Sequence, residues 1–290
     1  VNQALVAEHV SSERRSSIMA VFRTLRNVGF SLGAAAAVPM LASGDSNVFM
    51  VIVLANAASY VVVSLMLLGL PKGEPRVDVE PRGRFHMVKN GRFVQLTAAN
   101  GVLALHMTLL SISFPLWAVS YTSTPTGVVP VFVIINTILV VAFQVRFTKN
   151  VHERGQVTRK YRAAGVALAL CLLLAATNVA VPGVPGGNAY LDVALMVMAV
   201  VALTAGELWQ SASAWEASFG YAPEDRRSTY LAFFSLGPAL QQVVGPVLLT
   251  AGLFPLGAWG WVALGALLLV SGIWAGASAP TDAAQVASTS

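Results

Sequence analysis

Apolar stretches recur along this chain, broken by short polar turns and by basic loops, and each is long enough to cross a bilayer's hydrocarbon core in roughly 20 helical residues. The first runs from Val21 or Val28 to Ala42 and the second from Val48 to Leu70, with the turn Ser43-Gly44-Asp45-Ser46-Asn47 between them. Six more occupy Phe93 to Val119, Gly127 to Val145, Ala163 to Val181, Leu191 to Ser213, Thr229 to Gly252 and Gly257 to Ala277. In lipid only helices or closed barrels satisfy the backbone, and these runs are too long and too continuously apolar for alternating barrel strands. The pattern predicts an all-α membrane protein, a polytopic bundle of about eight transmembrane helices.

Charge gives the stretches an orientation. All 18 Lys and Arg residues fall in four segments: Arg14 to Arg26, Lys72 to Arg92, Arg146 to Arg162, and Arg226 with Arg227. Two apolar stretches lie between consecutive segments, so the basic loops all emerge on one side, as the positive-inside rule requires of the cytoplasmic face. Both ends of the chain are then expected in the cytoplasm. The outward turns carry Asp45 and Asp192 as their only charges and leave no room for a sizeable external domain.

Composition agrees with a membrane location. The chain is 56% hydrophobic and 11% charged, with mean hydropathy +0.69, too little polar surface for a soluble globule of 290 residues. A net charge of +5 raises the question of nucleic acid, but the basic residues sit in loops without an aromatic-rich groove. Anionic lipid at the cytoplasmic surface is the better partner. Cys171 is the single cysteine and lies in an apolar run, which excludes a disulfide within the chain and thiolate metal sites.

An internal repeat organises the stretches. Arg14-Arg15-Ser16 recurs as Arg226-Arg227-Ser228, an offset of 212 (226 minus 14), and at the same offset Ala20 matches Ala232, Phe22 matches Phe234 and Gly33 matches Gly245. Each copy opens with an acid, Glu13 or Asp225, and leads into a glycine-containing span. A parallel repeat of this kind relates the halves of some transporters. On that offset Val1 corresponds to Ser213, so the first half is expected to lack its first four helices. Residues 1–70 would be the remnant of the first six-helix half, 71–92 a cytoplasmic central loop, 93–279 the second half and 280–290 a cytoplasmic tail.

With its basic central loop and paired halves, the chain resembles the major facilitator superfamily, and within it the drug/proton antiporter-like branch. The most specific local likeness is Gly29-Phe30-Ser31-Leu32-Gly33-Ala34-Ala35-Ala36-Ala37, which looks like the fifth-span antiporter motif, with Ala34 standing where the motif has Pro. The resemblance implies spans five to twelve of a twelve-helix fold, a plasma or inner membrane location, and alternating access between two halves. It also implies that the helix carrying Gly29 and Gly33 helps to seal the moving interface. Small residues at such spacing equally serve plain close packing, and Gly245-Pro246 does the equivalent work in the second copy, with Pro246 able to kink its span.

Candidate chemistry lies inside the apolar runs. Glu207 is an intramembrane carboxylate, costly unless paired, hydrated or protonated. Thr204, Glu207 and Ser211 share a helix face at spacings of three and four, with Gln210 close by. Asn100 and Thr97, with Thr108 and Ser111, form a second stripe, and Asn136 with Gln144 a weaker one. These side chains either line a path for a small-molecule substrate and protons or bridge helices. His106 lies off the stripe; imidazole suits proton work, and a packing role competes. Arg14, Arg15, Arg226 and Arg227 set orientation, or pair with acids to latch the cytoplasmic ends; Arg23 and Arg26 sit deeper and are expected to snorkel. Trp209, Trp215 and Tyr221 resemble an interfacial aromatic belt.

The chain shows no phosphate-binding glycine loop, no nucleophilic constellation and no metal-spaced cluster, so neither an enzyme nor a cofactor is expected. The expectation is a secondary transporter, exporting small amphipathic molecules in exchange for protons. An importer of a small metabolite is the alternative within the class, and a truncated, non-transporting protein or a scaffold needing a partner chain is the alternative outside it.

Overall fold

The computed structural model describes residues 10, 12–42, 46–68, 86–153, 155–177, 188–223 and 226–280. Within them every regular element is helical. Most of the loop expected at 71–92, the tail at 281–290 and the turn around Asp45 lie outside the described residues. Contacts divide the chain into two compact units, Val1–Thr24 with Gly83–Ser290, and Leu25–Arg82.

Eight long helices account for most of the described chain: α1 (Ser12–Ala42), α2 (Ser46–Leu68), α3 (Gly91–Tyr121), α4 (Val129–Thr148), α5 (Gln156–Thr177), α6 (Ala189–Tyr221), α7 (Arg227–Leu256) and α8 (Ala258–Ala277). Six of them, α3 to α8, are long and apolar enough to cross a membrane, and all six belong to the first unit. That is the architecture of a multi-pass membrane protein. The second unit contains the later part of α1 and all of α2, with a shorter apolar stretch at Val53–Met66.

The sequence places these helices well and their ends less well. α5 begins at Gln156, not Ala163, and so includes Arg159, Lys160 and Arg162. Long basic side chains are good helix formers and need not mark a boundary, because their heads can leave the membrane while their stems stay on the helix. α6 likewise runs to Tyr221, two turns past Ser213.

Exposure follows the logic of a lipid solvent. α4 buries Phe132, Asn136, Val140, Gln144 and Thr148, one residue in every four, while Ile134, Ile138, Val141, Phe143 and Val145 are exposed. Its amide side chains Asn136 and Gln144 face inward, and its outer face is apolar up to Arg146 in the last turn. This suits a helix whose amides find partners only on neighbouring helices.

Two pairs of glycines bring helix backbones close together. A Cβ added at Gly237 of α7 would lie 2.6 Å from the Thr97 carbonyl oxygen, and one added at Gly101 of α3 would lie 2.8 Å from Gly237 Cα. Gly165 of α5 and Gly272 of α8 meet in the same way, at 3.0 and 2.6 Å from each other's Cα. Without a hydrophobic drive between helices, such backbone contact supplies dispersion that larger residues would prevent.

α3 and α7 are each interrupted. α3 has a turn at Ala104–Leu105 and a π-helical segment at Leu109–Ser113 that runs into Pro115, and α7 turns π-helical at Leu248–Leu253, just after Pro246. Proline removes one backbone donor and crowds the preceding turn, which accounts for the unwinding ahead of Pro115 in α3 and ahead of Pro255 in α7. Pro246 itself lies within regular helix, and α3, expected as one uninterrupted span, is interrupted.

Candidate functional site

The polar residues of α6 define the site. Thr204, Glu207, Gln210 and Ser211 are all buried, on a 33-residue helix whose start is capped by Asn188, which accepts from the amides of Tyr190 and Leu191. Their spacing puts Thr204, Glu207 and Ser211 on the face that meets α4. Asn136 Nδ2 donates to Glu207 Oε2 at 2.8 Å and to Thr204 Oγ1 at 3.0 Å. A turn or two further along, Gln144 Nε2 donates to Ser211 Oγ at 3.2 Å. The two rungs advance together along both helices, so α4 and α6 run parallel, as alternate spans of a bundle must.

Gln210 faces another direction. Its Nε2 donates to Asn100 Oδ1 at 2.7 Å, and the same oxygen accepts from the Tyr161 hydroxyl at 3.3 Å. The expected α6 stripe is thus shared between two sets of partners, α4 on one side and α3 with α5 on the other. Thr97 donates to the Phe93 carbonyl of its own helix at 2.9 Å and joins neither set. Thr108 is joined to Gln241 of α7. Ser111 is exposed and bonded to the Met107 carbonyl at 2.8 Å.

Arg23 completes the cluster. Its guanidinium pairs with Glu207 Oε1, and both residues are buried, at 8% and 7% exposure. An arginine expected to snorkel is turned inward instead. The reason lies in Glu207: an ionised carboxylate in low dielectric is strongly unfavourable alone, and a guanidinium supplies both the counter-charge and the hydrogen bond. Each carboxylate oxygen then has one partner, Arg23 at Oε1 and Asn136 at Oε2. Arg23 falls within the first compact unit with the six spans.

His106 is a second residue that the sequence underrated. It is buried, its Nδ1 lies 2.9 Å from the Leu103 carbonyl oxygen, and it interacts electrostatically with both Glu207 and Arg23. The turn at Ala104–Leu105 lies between Asn100 and His106 on α3.

The remaining candidates lie elsewhere. Gly245 is buried against α3, where an added Cβ would sit 2.9 Å from Thr108 Oγ1. Gly29 and Gly33 belong to the second unit and, within it, an added Cβ at either meets nothing within 4 Å. Arg14 is exposed; Arg15 Nε donates to the Val10 carbonyl at 3.0 Å; Arg226 and Arg227 open α7. The side chain of Glu13, and Asp225 altogether, lie outside the described residues, as do the side chains of Ala34 to Ala37. Trp215 is buried in the core, and Tyr221 donates to the Ser278 carbonyl at 2.7 Å.

The arrangement is a buried, charge-balanced polar cluster joining α1, α3, α4 and α6 within otherwise apolar spans. It can hold a charge inside a membrane, exchange hydrogen-bond partners and bind a proton. No protein-family model matches the chain, and no curated protein matches it.

Proposed function

We propose that the protein is a secondary active transporter of the major facilitator type, coupling the efflux of small organic molecules to protons. The observation that supports this most is the cluster around Glu207. Two opposite charges, an amide and a hydroxyl from three helices are held together, with Glu207, Thr204 and Asn136 on two of the candidate membrane spans. Ionisable residues at such depth are expensive, and their usual return is a path for ions or substrates. Glu207 is assigned the exchange of proton and substrate, with Thr204, Ser211, Gln210, Asn100 and Asn136 as its hydrogen-bonding surroundings. The six spans α3 to α8 would then form one six-helix half of such a fold.

Reconstitution tests the reading. Vesicles containing the protein should accumulate or expel an amphipathic probe such as ethidium when a pH gradient is imposed, and Glu207→Gln should abolish that dependence. Equal probe movement in protein-free vesicles, or unaltered coupling in Glu207→Gln, would overturn it.

A further inference from the structure

Three ionisable side chains from three helices act on one another in the cluster, and only two of them are neutralised. Arg23 of α1 and Glu207 of α6 form the pair; His106 of α3 is the third. The tautomer of His106 follows from its surroundings. Leu103 offers a carbonyl, which can only accept, so Nδ1 bears the hydrogen and the neutral ring keeps its lone pair on Nε2. That Nε2 is buried and has no hydrogen-bond partner among the described residues. Buried polar atoms are ordinarily paired, and a histidine kept only for packing has no use for a base without a protein partner. The Nε of Arg23 is buried and unpartnered as well.

We propose that Nε2 of His106 is a proton-binding site, and that its protonation draws Glu207 away from Arg23. The step is the addition of one proton from water to the Nε2 lone pair, forming an N–H bond and breaking none within the protein. The charged groups that act on the ring are Glu207 from α6 and Arg23 from α1. Counting Arg23 as +1 and Glu207 as −1, the cluster goes from neutral to a net charge of +1. One carboxylate then serves two cations where it had served one, and in a low-dielectric surrounding that competition is strong. Asn136 keeps its hold on Oε2 throughout. Because Arg23 is on α1 while His106, Asn136 and Glu207 are on α3, α4 and α6, the proton weakens the attachment of the start of α1 to the spans. The biological use of this device rests on the transport reading above; the proton site itself does not.

Two measurements test the inference without a substrate. In a protein whose only histidine is His106 (His9→Gln, His86→Gln, His152→Gln), nitrogen NMR of the labelled ring in lipid nanodiscs should show the Nδ1–H tautomer at alkaline pH. It should convert to the doubly protonated ring on acidification while the fold persists. The opposite tautomer, or a ring that stays neutral until the protein unfolds, would overturn the proposal. For the second measurement, nitroxide labels are placed at the exposed positions Phe22 of α1 and Val141 of α4 in a Cys171→Ala background. The distance between them should change over the same pH range and stay fixed in His106→Gln, which retains an amide donor for Leu103 but cannot be protonated. No change in the parent, or the same change in His106→Gln, would sink the coupling to Arg23. Success in both arms together with vesicles that move no solute would reject the transport reading and leave this one standing.

Discussion

Removing the charge of Arg23 should destabilise the protein more than removing the charges of Arg23 and Glu207 together. In the native cluster both carboxylate oxygens are satisfied, Oε1 by Arg23 and Oε2 by Asn136. Arg23→Gln leaves a buried carboxylate without a counter-charge, and breaking one side of a buried pair costs about 3–5 kcal/mol. Glu207→Gln strands the guanidinium at a similar cost. In Arg23→Met with Glu207→Leu no charge remains, and Asn136 can still donate to Thr204 Oγ1, its existing partner at 3.0 Å. Replacing a whole buried pair by apolar residues is often neutral or favourable by about 1–4 kcal/mol. The double variant should therefore lie closer to the parent than either single one, and in the cycle made of Arg23→Met, Glu207→Leu and the two together the interaction energy should be at least ~3 kcal/mol. Reversible unfolding in mixed micelles with increasing SDS, followed by circular dichroism, would measure it. Additive costs, or a loss below about 1 kcal/mol for Arg23→Gln, would mean that the pair behaves as an exposed one and that the buried-cluster reasoning is wrong.

Two further substitutions probe the surroundings. Asn136→Ala removes the donor to Glu207 Oε2 and to Thr204 at once, and a buried acceptor left unpaired costs about 1–3 kcal/mol in the same assay; Asn136→Gln should not restore it, because the extra methylene carries the amide past both oxygens. Gly237→Val places a Cβ that would stand 2.6 Å from the Thr97 carbonyl oxygen, so α3 and α7 must separate, at a cost of about 1–3 kcal/mol or more. The same change at Gly91, where an added Cβ meets nothing within 4 Å, should be far milder.

Much of the architecture was legible in the sequence because lipid imposes a simple grammar. Runs of apolar residues long enough to span, and basic loops between alternate pairs, locate α3 to α8 to within a turn or two. The α6 part of the site was legible for a related reason. Thr204, Glu207 and Ser211 stand out within an apolar run, and helical spacing alone puts them on one face. Their partners were harder to find. Arg23 lies 184 residues from Glu207, and near a span's basic end an arginine bound for the interior reads the same as one bound for the headgroups. His106 lies off the Asn100 stripe, and nothing in the spacing of residues along α3 shows which side chains of other helices surround it. The Gly101–Gly237 and Gly165–Gly272 contacts escaped notice because a glycine pair is defined only once two helices are placed side by side.

Proton movement in reconstituted vesicles tests the central claim most directly. With a pH-sensitive dye enclosed and a gradient established, addition of amphipathic organic molecules should collapse the gradient in vesicles holding the parent protein. Vesicles holding Glu207→Gln, shown by circular dichroism to be folded, should keep it. A gradient unaffected by every molecule tried in the parent, or collapsed equally in Glu207→Gln, would contradict a transport role for the buried cluster.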